Sequence, residues 1–99
     1  MRIIWTDKAI NRIEGIAEYI REDNPTAGKK WKKAIYDKAQ LLKKFPRMGR
    51  VVPELKQDEI REILYGNYRI IYLVESNCIS ILTVRHCKQL FRADWIDSN

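Results

Sequence analysis

Two runs of β-favouring residues, Ile60–Tyr65 and Tyr68–Glu75, meet at Gly66-Asn67, and that dipeptide constrains the chain more than any other feature. Glycine and asparagine tolerate the backbone that a two-residue hairpin turn demands, so the flanking runs are expected to pair antiparallel. A third run, Cys78–Cys87, follows Ser76-Asn77 and extends the hairpin into a meander. Two-residue turns set Tyr65 opposite Tyr68 and Glu75 opposite Cys78. Side chains then alternate between the two faces of the sheet. Ile63, Ile70, Tyr72, Val74, Ile79 and Ile81 fall on one face; Glu62, Leu64, Arg69, Ile71, Leu73, Leu82, Val84 and His86 fall on the other. Burying charge is costly, so the first face is expected under the rest of the protein, with Glu62, Arg69 and His86 together on the open one.

The rest of the protein reads as helical. Arg2–Trp5 is a short β-rich run, and Thr6 or Asp7 can cap a helix that follows to about Glu22. Ala9, Ile10, Ile13, Ile16, Ala17 and Ile20 form its apolar stripe. Asn24-Pro25 breaks it and begins a second helix to about Lys44, with Ala27, Trp31, Ala34, Ile35, Leu41, Leu42 and Phe45 on its apolar side. The short connection makes the pair an antiparallel hairpin. Pro46–Arg50 reads as a loop, and Val51–Leu55, interrupted by Pro53, as a short edge strand or loop. In the terminal segment, Lys88 to Asn99, Leu90, Phe91, Trp95 and Ile96 are placed to close one end as a short helix or strand. The expected fold is α+β across residues 1–99 as a single domain: an N-terminal strand and a two-helix antiparallel hairpin packed on a three- to four-stranded antiparallel sheet.

Charge narrows the function classes. The net charge is +6 with a pI near 9.5, and Lys29, Lys30, Lys32, Lys33, Lys38, Lys43, Lys44, Arg47 and Arg50 crowd one stretch. Such a surface favours an acidic partner: RNA, DNA or an acidic protein segment. No run is long enough to span a bilayer and no apolar leader opens the chain, so a cytoplasmic protein with no membrane partner is expected. Cys78 and Cys87 are the only cysteines and His86 the only histidine. Those donors cannot furnish a zinc site, so neither metal nor cofactor is expected, and both cysteines read as small strand residues.

The order of these elements, with Trp5, Tyr19-Ile20, Phe45–Arg50, Pro53-Glu54-Leu55, Ile60-Arg61-Glu62, Asn67–Tyr72 and Val84-Arg85-His86 along it, resembles the RelE/ParE superfamily of bacterial toxins from type II toxin–antitoxin systems. The resemblance covers nearly the whole chain. It implies a small basic toxin that arrests growth when free of a cognate antitoxin, which wraps it. It also implies one of two targets. RelE-like members cut mRNA on the ribosome as metal-independent endoribonucleases; ParE-like members bind and poison DNA gyrase.

Each target assigns residues. RNA cleavage without metal requires a deprotonated 2′-hydroxyl, a protonated leaving oxygen and a stabilised phosphorane. Arg69 matches the superfamily's strand arginine and would hold the phosphate; His86, with histidine's ordinary pKa of about 6.5, would serve as acid or base. Glu54 or Glu62 would be the base, with Arg61 and Arg85 supporting the phosphate. Ile60 and Glu62, however, stand where RelE-type enzymes carry lysines, and Cys87, Lys88 and Gln89 follow His86 where a tyrosine or second basic group is common. Gyrase poisoning would instead use Lys88 and Arg92, with Phe91 or Trp95 as aromatic anchors. The slightly favoured reading is the gyrase poison, with the endoribonuclease as alternative. A degenerate toxin or plain nucleic-acid binder is a third class. Arg69 is also placed to pair with Glu62, and His86 to close the sheet by hydrogen bonding.

Overall fold

A computed structural model describes residues 1–96; residues 97–99, the end of the expected closing segment, lie outside the described residues. The chain runs β1 (Arg2–Trp5), α1 (Asp7–Asp23), α2 (Pro25–Gln40), β2 (Arg50–Val51), β3 (Ile60–Tyr65), β4 (Tyr68–Val74) and β5 (Cys78–His86). Short 3-10 turns follow α2 at Leu41–Lys43 and close the described chain at Ala93–Trp95.

Local chemistry sets the helix starts. The Thr6 hydroxyl oxygen accepts from the Ala9 N–H at 3.1 Å and donates to the Ile81 carbonyl at 2.7 Å, capping α1 and pinning it to β5. Asn24 Oδ1 accepts from the Ala27 N–H at 3.1 Å, and Pro25 occupies the first turn of α2, where a missing N–H does no harm. Ala9, Ile13, Ile16 and Ala17 of α1 and Trp31, Ile35 and Ala39 of α2 are buried against Ile63, Ile70, Tyr72, Ile79 and Ile81 of the sheet. Trp31 is thus a core residue, and Trp5 packs against Tyr36 at 4.5 Å between ring centroids.

The sheet departs from expectation in three respects. First, it is five-stranded and mixed, in the order β1-β5-β4-β3-β2, rather than three- to four-stranded and antiparallel. The added edge is β1, which lies parallel to β5 from Arg2↔Cys78 to Trp5↔Ile81. A parallel neighbour requires a long crossover, and the helical hairpin and meander together supply it.

Second, both turns fall where expected, with Tyr65↔Tyr68 paired and the Glu75 N–H donating to Cys78 at 2.9 Å, and Gly66 takes a φ of 57°. The register nonetheless slips further along. Ile71 pairs with Thr83 while Tyr72 pairs with Ile81, so Leu82 is an extra residue, a β-bulge. Beyond it every side chain of β5 changes face. Val84 joins the helix-side core and His86 packs against Tyr68, whereas Arg85 takes the place beside Arg69. Val84 and His86 therefore do not share a face with Arg69.

Third, the face away from the helices is not open. Val52, Ile60, Ile71 and Trp95 are buried there, flanked by Leu55, Leu73, Leu82, Phe91 and Ile96. The segment after β2 and the C-terminal turn fold over it as a second, smaller core. Cys78 is buried in β5, but Cys87 lies just past the strand and is exposed.

Gly49 fastens the β2 edge. Its N–H donates to the Tyr72 hydroxyl at 3.0 Å, and its carbonyl accepts from Arg61 Nη1 at 2.9 Å. A Cβ there would lie 2.7 Å from the Tyr72 hydroxyl and run into the Glu62 backbone carbonyl, so glycine is required by close approach.

Candidate functional site

Four charged residues meet on the sheet face away from the helices. Glu62 projects from β3 and Arg69 from β4, both turned inward beneath the segment that carries Glu54. Arg69 Nε donates to Glu62 Oε1 at 2.7 Å, and its Nη1 and Nη2 form a fork onto the Glu54 carboxylate at 3.1 and 2.8 Å. The other Glu62 oxygen accepts from Arg50 Nε at 2.6 Å, because Arg50 of β2 pairs with Glu62 in register. Arg69 is 5% exposed and Glu62 is buried; Glu54 and Arg50 reach solvent.

The electrostatics follow from that chain of contacts. The Glu54 carboxylate, and after it Glu62, pushes the Arg69 guanidinium up from its ordinary value against the opposing effect of burial. In return the Arg69 hydrogen bonds hold the Glu54 carboxyl below the usual carboxylate range. Arg69 spends three of its five N–H donors on carboxylates, and Phe91 covers its guanidinium at 5.9 Å. What remains for a phosphate is little.

The other expected site residues disperse. His86 lies on the helix side of the sheet, carried there by the Leu82 bulge, where its ring packs edge-on to Tyr68 at 5.2 Å. Arg61 is bound by the Asp58 carboxylate at 2.8 Å and by the Asp58 and Gly49 carbonyls at 2.9 Å, so it staples the β2 edge. Arg85 stacks over Trp95 at 4.7 Å and donates to the Thr83 hydroxyl at 3.2 Å; burial, with the nearby positive charge of Arg12, pushes its guanidinium down. Arg92 pairs with Asp94 at 3.1 Å on the surface. Lys88 is exposed.

Arg85, Gln89, Leu90, Phe91, Arg92, Asp94 and Trp95 border a groove of about 690 Å³ beside the charged cluster. Trp95 is 2% exposed, so it holds the groove wall and cannot serve as the anchor expected of it. Leu90 is 88% exposed at the same groove. Arg50 was not among the expected site residues; the signal that finds it is the β2–β3 register, which needs the edge pairing to be known. Among the described residues, no three of histidine, cysteine, aspartate and glutamate converge to hold a metal ion. No helix among them is long and apolar enough to cross a membrane.

The chain resembles known proteins in sequence and in fold. A family profile described as the ParE toxin of type II toxin–antitoxin system, parDE, matches residues 3–91. The chain is 27% identical over 90 residues to Toxin RelE2 of Caulobacter vibrioides, covering 90% of this chain and 98% of that protein. It is 32% identical over 90 residues to the putative toxin Y4kP of Sinorhizobium fredii, covering 89% and 90%. In three dimensions it resembles a chain of the chromosomal ParDE toxin–antitoxin system from P. aeruginosa, with a TM-score of 0.73 at 20% identity over 89% of this chain and 97% of that one.

Proposed function

The chain belongs to the ParE toxin family of type II toxin–antitoxin systems, and from that premise we propose that it arrests growth by binding and poisoning DNA gyrase rather than by cutting RNA. The observation that carries this reading is the separation of Arg69 from His86. General acid–base catalysis needs its groups within hydrogen-bond reach of one reacting centre. Here the arginine suited to a phosphorane is locked between Glu54 and Glu62 on one face, and the histidine suited to proton transfer lies on the other. A binding toxin needs no such convergence. It needs an exposed apolar contact near basic groups, and Leu90 provides one, with Lys88 exposed two residues before it and Arg92, paired with Asp94, two after it.

Control by a cognate antitoxin belongs to the same proposal. A basic chain of net charge +6 fits an acidic, amphipathic segment that folds as it binds. The test is a plasmid cleavage assay with purified gyrase. Added toxin is expected to accumulate linear DNA after denaturation of the enzyme, and antitoxin to reverse it. Unaltered gyrase turnover, together with cleavage of ribosome-bound mRNA by the same preparation, would instead establish the nuclease.

A further inference from the structure

A separate cleft opens on the helix side of the sheet, between α1 and the paired ends of β4 and β5. It spans about 380 Å³, and its polar lining among the described residues is Arg12, Tyr19, Tyr68, His86 and Gln89, with no carboxylate. Among the described residues, Arg12 Nε is buried without a hydrogen-bond partner. An orphaned donor of this kind is expensive to keep and rare in native proteins.

The neighbouring groups are held as donors too. His86 Nδ1 accepts from the Lys88 N–H at 3.0 Å, which leaves the proton of the neutral ring on Nε2. Gln89 Oε1 accepts from the His86 N–H at 3.2 Å, so its amide NH2 remains for a ligand. The orientation of these rings is fixed by a stack: His86 against Tyr68 at 5.2 Å and Tyr68 against Trp31 at 5.1 Å. Gly15 lies inside α1 and borders the cleft, and a Cβ there would meet nothing within 4 Å. Glycine in a helix interior is destabilising, and no close packing demands it here; its effect is to keep the cleft clear. Tyr19, one turn further, presents a ring that is 70% exposed at the rim.

We infer that this cleft binds a phosphate ester bearing a nucleobase, with Arg12 and His86 Nε2–H on the phosphate and the base against Tyr19. A guanidinium fork and a ring N–H suit phosphate oxygens, and an exposed tyrosine suits the flat face of a base. A carboxylate could accept from Arg12 and from His86 Nε2–H, but it would leave the Tyr19 ring unused. The cleft lies on the opposite face of the sheet from the Arg69 cluster and is independent of the choice of target.

The test is a titration of the full chain, followed by amide and side-chain NMR shifts, with three phosphate probes, AMP, the dinucleotide ApA and inorganic phosphate, and hexaglutamate as an acidic competitor. AMP is expected to bind saturably, with shifts centred on Gly15, Tyr19, Tyr68 and His86. Arg12→Gln is expected to weaken it about tenfold or more, the loss of a charge-assisted contact. Tyr19→Ser, at an exposed rim position, is expected to weaken AMP and leave inorganic phosphate unchanged. Gly15→Leu is expected to block all three probes while melting no lower than the parent. Binding of AMP but not ApA assigns a terminal phosphate; equal binding of both assigns a strand phosphodiester; either supports the site. Shifts confined to the α2 lysines, an Arg12→Gln affinity within twofold of the parent, or tighter binding of hexaglutamate than of AMP would overturn it.

Discussion

Replacing Arg69 by methionine is the perturbation that separates architecture from chemistry. The side chain is nearly buried and bridges two carboxylates, one of them fully inside the protein. Removing one member of a buried ion pair typically costs about 3–5 kcal/mol, mostly because the other charge is left behind. Glu62 keeps Arg50 on its second oxygen, which is partial compensation and places the expected loss near the lower end, about 3 kcal/mol. For a domain of this size that corresponds to a fall in melting temperature of roughly 12–24 °C. It is a large share of a total stability of about 5–15 kcal/mol.

The assay is thermal and urea unfolding followed by circular dichroism on Arg69→Met, Glu62→Leu and the double variant. Replacing both partners by apolar groups of similar volume removes the stranded charge, so the double variant is expected to recover most of the loss. An Arg69→Met protein melting within about 3 °C of the parent, a shift worth under 1 kcal/mol, would refute the reasoning. So would a double variant less stable than the sum of the singles. The consequence for function is direct. Loss of toxicity in an Arg69 variant does not by itself identify a catalytic arginine, because the same substitution is expected to remove a large share of the protein's stability.

Other perturbations have equally definite outcomes. Gly49→Ala sets a methyl group against the Tyr72 hydroxyl and the Glu62 carbonyl and is expected to lower stability by about 1–3 kcal/mol in urea unfolding; an unchanged midpoint would contradict the packing described. Because Arg69 lowers the Glu54 carboxyl below its ordinary 4.5, this contact stabilises fully above that value and is lost as pH falls through the folded-state value. Acid melts of Glu54→Gln should therefore show a shallower pH dependence than the parent below pH 4.5, and identical slopes would remove Glu54 from the account. Leu90→Ser, at an exposed position, is expected to leave stability within about 0.5 kcal/mol. The same variant should weaken gyrase inhibition about tenfold or more; retained inhibition would move the target contact away from this groove.

Much of the fold is legible because its determinants are local. Thr6, Asn24 and Pro25 mark helix boundaries by capping chemistry, and Gly66-Asn67 sets the β3–β4 register within two residues. The bulge is harder to read. Strict alternation carries Ile79 and Ile81 onto Thr83 and Arg85, which would bury an arginine under the helices. The apolar run Ile81-Leu82 followed by Val84 contains the slip in period, yet its resolution depends on which neighbours each residue meets in β4. That single slip separates His86 from Arg69 and replaces it with Arg85. The parallel placement of β1 and the cover provided by Trp95 and Phe91 are likewise long-range, set by packing between segments far apart in the chain. The Glu62–Arg69 pair follows from strand positions alone, whereas Glu54 and Arg50 join it only once the β2 edge is in place.

The central claim, action by binding rather than RNA cleavage, is tested most directly in cells induced to make the chain without an antitoxin, with mRNA ends mapped and gyrase–DNA complexes trapped in the same culture. Covalent gyrase–DNA complexes and a DNA-damage response are expected while transcripts keep their normal ends. New translation-dependent mRNA ends without gyrase complexes would contradict it.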